Sequence, residues 1–316
     1  MPFVTRPAVE PPKRSPENSP QQSNKTFSLS EPKYKLNDLI ITDTLRDELE
    51  TIIRAQECWN KVFVDWNLGS VLKQRKNLFV NLYGAPGTGK TMAAHAVADA
   101  LGKKMICVNY ADIESKYVGE TSKNLTALFE FARAQDVVLF FDEADALLSK
   151  RVTNMSHSTD VSVNQTRSVL LTLLNDYDGM VIFATNFISN YDAAFMRRIQ
   201  YHVKFELPNA RLRRKLWRMY IPKEMPADVR IDEIADNYDG ISGSDISNAV
   251  LKAALKAAKN DEATIPQRYF EEAVKEIVDS KNANAKHNTS DVKIVKSEIV
   301  PPEAVPSEIR QKAEDI

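Results

Sequence analysis

Along the middle of the chain, short runs of β-branched and aromatic residues alternate with stretches whose apolar residues recur at helical spacing. The runs fall at residues 78–83, 105–109, 137–141, 181–184 and 202–207. The helical stretches lie at 45–59, 91–101, 122–134 and 164–177. Apolar strands alternating with amphipathic helices predict a parallel sheet covered on both faces. After Pro208 the strand pattern stops. Residues 211–220, 244–258 and 267–278 read as helices, with Ser244 opening the second of them. The expected fold class is α/β: a five-stranded parallel sheet sandwiched by helices over residues 34–208, then a small all-helical domain over 209–280.

Composition changes the picture at the two ends. Residues 1–33 hold seven of the chain's 15 prolines, and residues 281–316 are polar and contain Pro301, Pro302 and Pro306. Such segments bury too little apolar surface to offset the entropy lost on ordering, so both are expected to be disordered tails. The net charge of −1 supplies no global basic field and argues against a nucleic-acid partner. Cys58 and Cys107 stand far apart, without neighbours at metal-ligand spacing, and read as small core residues of a reduced intracellular protein. The N-terminus lacks the basic-then-apolar order of a signal peptide, and no apolar run approaches the roughly 20 residues needed to span a bilayer. A cytoplasmic location without a membrane span is expected.

The candidate chemistry lies where strands end. Gly84-Ala85-Pro86-Gly87-Thr88-Gly89-Lys90-Thr91 follows the first strand and opens a helix, the context that a P-loop requires. A glycine-rich loop turns successive backbone N–H groups toward an anion, and the helix adds its positive N-terminal end. Lys90 is then placed to reach the β- and γ-phosphates, and Thr91 to set its hydroxyl on Mg²⁺. The third strand, Val137-Val138-Leu139-Phe140-Phe141, ends in Asp142-Glu143-Ala144-Asp145. Acids at the carboxyl edge of a parallel sheet lie where ligands bind and a metal compensates their charge. Asp142 reads as the metal-side acid, and Glu143 as the group that polarises the attacking water.

These motifs, with Ala184-Thr185-Asn186 on the fourth strand, resemble the AAA+ superfamily, in particular its AAA clade. Residues 115–121, 192–199 and 240–245 carry further marks of that likeness, which spans roughly residues 36–280. Single-ring remodelling modules of the bacterial sporulation, Rubisco-activase-like, katanin-like and spastin-like kinds are similar. The resemblance implies an ATP hydrolase that uses ATP and Mg²⁺, with Asn186 as the sensor that positions water or γ-phosphate. It implies that Arg197 or Arg198 acts as a finger in a neighbouring protomer's site, so that the working form is a homo-oligomeric ring, a hexamer. Lys116, Tyr117 and Val118 match the substrate-gripping pore loop, which implies a protein client to be remodelled, unfolded or disassembled. Ile40 and Ile41 fall where the clade contacts adenine. Phe195-Met196-Arg197-Arg198 stands where the clade commonly has Arg-Pro-Gly-Arg, which leaves both arginines as candidates for the finger. Two alternatives stay open: a nucleic-acid motor or loader of the same superfamily, and an ATP-gated scaffold without turnover.

Overall fold

The computed structural model describes residues 27–72, 76–108, 120–149, 158–186 and 191–288. The chain divides into two compact units. The first takes in residues up to 39, 43–84 and 90–205; the second takes in 40–42, 85–89 and residues from 206 on.

The first unit is built on strands β1 (Leu78–Gly84), β2 (Met105–Val108), β3 (Val138–Phe141), β4 (Met180–Thr185) and β5 (Tyr201–Phe205). They form one five-stranded sheet in the order β2-β3-β4-β1-β5, and every neighbouring pair is parallel. The helices are α1 (Asp43–Glu57), α2 (Lys90–Ala100), α3 (Glu120–Gln135), α4 (Asp145–Leu148), α5 (Ser158–Asp176) and α6 (Ala193–Met196). Every residue of β3 and β4 is buried, as a sheet covered on both faces demands. On one face Phe79, Leu139, Phe141 and Phe183 pack with Phe129, Leu170, Leu174 and Tyr177. Phe141 stacks on Phe183 at 5.4 Å, and Phe129 meets the edge of Tyr177 at 5.0 Å. Val80 and Leu82, on the other face of β1, are buried as well. The strand order is what builds the site. It sets the end of β4 between the end of β1 and the end of β3, at the carboxyl edge where ligands of such sheets bind.

Two expectations about this unit need correction. The composition of residues 1–33 predicts a tail, yet residues 27–33 are tied to the fold. Ser30 exchanges backbone hydrogen bonds with Met105 on β2 at 2.9 and 3.0 Å, Phe27 packs on Phe131 at 5.7 Å, and the Lys33 N–H donates to His95 Nδ1 at 3.2 Å. Main-chain pairing to a strand edge is indifferent to side-chain composition, so composition cannot reveal it. Cys58 and Cys107 are both exposed rather than in the core. Cys107 lies on β2, the edge strand of the sheet, where burial is incomplete.

The second unit contains α7 (Ala210–Tyr220), α8 (Ile231–Asn237), α9 (Gly243–Lys259) and α10 (Gln267–Asn288). Two-residue strands β6 (Ala227–Asp228) and β7 (Ile265–Pro266) form a small parallel ladder that the sequence did not announce. Trp217, Ile234, Ile246 and Phe270 are fully buried in its core, with Trp217 edge-on to Phe270 at 6.1 Å. Arg213 is buried here too. Its guanidinium donates to the carbonyls of Ala235 and Pro208, each at 2.8 Å, and so fastens α7 to α8.

The cap of α9 is Ser242, not Ser244. Its hydroxyl accepts from the Asp245 N–H at 3.3 Å while the Asp245 carboxylate accepts from the Ser242 N–H at 2.6 Å, a reciprocal capping box. Helix α10 continues past residue 280 to Asn288, and Lys281 pairs with Asp245. Burial pushes the Asp245 carboxyl up, but Lys281 and the Ser242 N–H and hydroxyl outweigh it and hold the group below its ordinary value. A carboxyl lowered on folding contributes stability above its unfolded pKa and loses it as pH falls through the folded one. Lys281→Ala should therefore cost about 0.5–1 kcal/mol at neutral pH, since the lysine is partly exposed. The difference from wild type, read by thermal unfolding, should vanish at acid pH once Asp245 is protonated.

Candidate active site

The glycine-rich loop begins where β1 is pressed against β5. Gly84 has φ +143°, and a Cβ there would lie 2.0 Å from the Phe205 carbonyl oxygen. Gly84→Ala therefore has to push two paired strands apart, and we expect a loss of more than about 3 kcal/mol, seen as a lowered midpoint in thermal or urea unfolding. Gly87 has φ +74°, and a Cβ there would sit 2.6 Å from Ser242 Oγ and 2.8 Å from Ser244 Cβ. Its carbonyl accepts from the Ser244 N–H at 3.3 Å. Thr88 closes the crest by donating its hydroxyl to the Ala85 carbonyl at 2.7 Å. Pro86 is exposed and Gly89 has φ +99° with open space around it.

Lys90 opens α2 and is buried. Its ammonium donates to the Gly84 carbonyl at 2.7 Å and to Asn186 Oδ1 at 3.1 Å. Burial pulls its pKa down, and the charges of Asp142 and Asp145 partly restore it. Lys90 and Asn186, predicted from different strands, thus meet directly.

At the end of β3 the chain turns sharply. Glu143 sits in the left-handed region at φ +50°, and Ala144 N–H donates to the Ala184 carbonyl of β4 at 2.9 Å. A left-handed glutamate is strained, and such residues gather at functional sites. The turn places the Glu143 N–H on Asp142 Oδ1 at 3.0 Å, while Thr91 donates its hydroxyl to Asp142 Oδ2 at 3.0 Å. Asp142 is thereby fixed against Thr91, and the Glu143 side chain is left exposed. Asp145, to which the motifs alone assign no role, accepts the Asn186 N–H at 3.2 Å on both oxygens and fixes the backbone of Asn186. Its place in the Asp142–Asp145 run was the available signal.

The donor set fits ATP with Mg²⁺. A hydroxyl and a carboxylate at 3.0 Å form a hard-oxygen pair of the kind magnesium takes while keeping waters and phosphate oxygens. Lys90 adds a buried ammonium, and Gly84, Gly87 and Gly89 of the loop before it all hold the positive φ that side chains disfavour. No cluster of three or more His, Cys, Asp or Glu capable of holding a metal by themselves occurs among the described residues.

The remaining predicted residues fall as follows. Asp192 caps α6 by accepting from Ala194 N–H at 2.8 Å, and this sets Arg197 at the helix C-terminus. Arg197 is exposed, and its guanidinium has no partner among the described residues. Arg198 differs: it donates to Asn175 Oδ1 and to the Ala194 carbonyl, each at 2.7 Å. Ile40 is half-buried against the core of the second unit, and Ile41 is half-buried. Lys116, Tyr117 and Val118 lie outside the described residues.

Comparison with known proteins finds two family models on the chain. Residues 80–207 match the family model described as "ATPase family associated with various cellular activities (AAA)", and residues 228–272 match that of the AAA+ lid domain. Among curated proteins, the A-like 1 form of the katanin p60 ATPase-containing subunit from Mus musculus is 36% identical over 193 residues, covering 57% of this chain and 39% of the relative. The proteins of the same name from Oryctolagus cuniculus and Homo sapiens are 35% identical over the same length and with the same coverage. The matched stretch thus spans about two fifths of the curated relatives' length. The ATPase model spans Lys90, Thr91, Asp142 and Asn186, and the lid model falls on the helices that follow. The chain thus carries an AAA ATPase domain at residues 80–207 and an AAA+ lid domain at residues 228–272.

Proposed function

We propose that the chain hydrolyses ATP with Mg²⁺ as a homo-oligomeric ring, a hexamer, and uses the energy to remodel a protein client drawn through a central pore. The observation that carries the hydrolytic part is the joined pair of contacts Thr91–Asp142 and Lys90–Asn186, which draws three strand ends onto one point. Lys90 and the N–H groups of residues 84–89 hold phosphate oxygens, and Thr91 with Asp142 holds the metal. Bound Mg²⁺ neutralises phosphate charge. The Glu143 carboxylate takes the proton of the attacking water, and Asn186, anchored by Asp145, orients that water or the γ-phosphate.

Arg197 supports the ring. Its guanidinium is exposed and has no partner among the described residues of its own protomer, and a planar fork suits charge spread over phosphate oxygens. We assign it, rather than Arg198, as the finger supplied to a neighbour. The near-neutral charge favours a protein client over nucleic acid. An apolar Tyr117-Val118 pair in the pore grips an extended chain without reading its sequence. Among the described residues no helix is long and apolar enough to cross a membrane.

The test is the steady-state ATPase rate per protomer as protein concentration is raised, with size by light scattering. The proposal requires a rate that climbs with concentration alongside a hexamer-sized species in ATP. A flat rate per protomer removes the ring. For the pore, Tyr117→Ala should keep ATP turnover and lose ATP-dependent capture of fluorescein-labelled casein. Equal loss of both would end the pore assignment.

A further inference from the structure

A line of polar side chains runs through the otherwise apolar face of the sheet. Asn81, in the middle of β1, is fully buried, as is Thr185, the last residue of β4 and the neighbour of Asn186. Thr185 donates its hydroxyl to Asn81 Oδ1 at 3.3 Å. Tyr191, 6% exposed, brings its phenol between them: it bonds Thr185 Oγ1 and reaches Asn81 Oδ1 at 3.4 Å. Polar groups set among phenylalanines need a reason, because each must be satisfied there or leave a buried orphan.

The line continues to the other side of β1. His202 on β5 is the register partner of Asn81, on the same face of the sheet. The carbonyls of Met196 and Ile199, the residues that bracket Arg197 and Arg198, lie near enough to its ring to favour the protonated imidazole. Burial pulls the imidazole pKa down and outweighs those two carbonyls, which push it up, and a neutral imidazole has one nitrogen free to accept. That nitrogen, Nδ1, is buried without a partner among the described residues, and so is the donor Nδ2 of Asn81. An unmatched donor and an unmatched acceptor thus stand on adjacent strands, about 4.8 Å apart in such sheets. They are the open joint of a chain that is otherwise connected from the nucleotide-facing end of β4 to the arginine segment.

We propose that Tyr191, Asn81 and His202 form a buried relay that positions the Arg197 segment according to the state of Asn186, closing and opening at the Asn81–His202 joint. These are positioning residues, since none lies at the reacting atoms. Burial raises the Tyr191 phenol to about 12, so it stays a donor at any working pH. When Asn186 changes partner from Lys90 to substrate, Thr185 beside it and the phenol on Thr185 must adjust. The Asn81 amide then turns toward or away from His202, and the carbonyls flanking Arg197 move with the imidazole. The relay rests on the reading of Arg197 as a finger supplied in trans.

The experiment mixes two inactive chains. Arg197→Ala chains keep an intact phosphate site, and Glu143→Gln chains keep an intact finger, so their mixture should recover hydrolysis at the shared sites. Tyr191→Phe, which removes only the hydroxyl, is then placed in the Glu143→Gln chain alone. Recovered kcat should fall about tenfold with KM for ATP unchanged, because the defect lies in the donated arginine rather than in the site that binds ATP. Asn81→Leu in the same chain should do likewise while leaving Thr185 and Tyr191 bonded to each other. A purely structural asparagine would instead give equal or higher thermal stability and full recovery, and that result overturns the relay. Loss only when either substitution sits in the Arg197→Ala chain overturns it too, for the network would then serve Asn186 alone. If the two parent chains fail to complement, the trans finger falls and the relay with it; complementation with unaffected donors sinks the relay alone.

Discussion

Glu143→Gln should bind ATP as wild type does and hydrolyse it about 10²–10⁴-fold more slowly, the range contributed by a positioned general base. The substitution keeps size and shape and removes only the capacity to take a proton. It leaves the Glu143 N–H on Asp142 and the Thr91–Asp142 contact untouched, since both use other atoms. The Glu143 side chain is exposed, so its loss should not alter the unfolding midpoint. Nucleotide affinity by fluorescence titration, beside steady-state turnover, separates the two effects. Weakened ATP binding would mean that the turn at residue 143, and not its carboxylate, is what matters. Undiminished turnover would reassign the base.

The second large effect is expected at Arg197. Removing a trans arginine in phosphoryl transfer costs roughly 10³–10⁵ in rate, so Arg197→Ala should be nearly dead in turnover yet bind ATP and fold normally. Arg198→Ala should behave in the opposite way. Its guanidinium holds Asn175 and the Ala194 carbonyl, so truncation should cost about 1–2 kcal/mol of stability with a smaller kinetic loss. Measuring kcat and thermal midpoint for both variants decides the assignment. A large kinetic loss at Arg198 with none at Arg197 would reverse it.

The alternation of apolar runs and helical stretches located all five strands of the sheet to within about two residues, because a strand buried on both faces leaves an unbroken apolar signature. The Gly84–Thr91 loop and Asp142 were legible for a different reason: their chemistry requires fixed residue types at fixed spacing. The roles of Asp145, Asn81, Thr185, Tyr191 and His202 were not. Each depends on which strands become neighbours, and the order β2-β3-β4-β1-β5 is not written in any local window. Helix α8 escaped because it is only 7 residues long and its buried residues are Ile234 and Ala235. The end of α10 escaped because residues 279–288 carry no apolar period; at Lys281 the helix is tied by charge to Asp245 instead.

The Ser30–Met105 pairing bears on how the protein behaves in concentrated solution. β2 is an edge strand, and an edge presents a row of unsatisfied N–H and C=O groups that another chain can extend. Ser30 occupies part of that row from the same molecule, its hydroxyl adding a bond to the Met105 carbonyl at 3.1 Å. Lys103 and Lys104 stand at the entrance to the strand, and lysines at an edge discourage a second strand from docking. A version of the chain trimmed at residue 34 would uncover this edge. It would gain a route to sheet-to-sheet aggregation that has nothing to do with the contacts of a working ring.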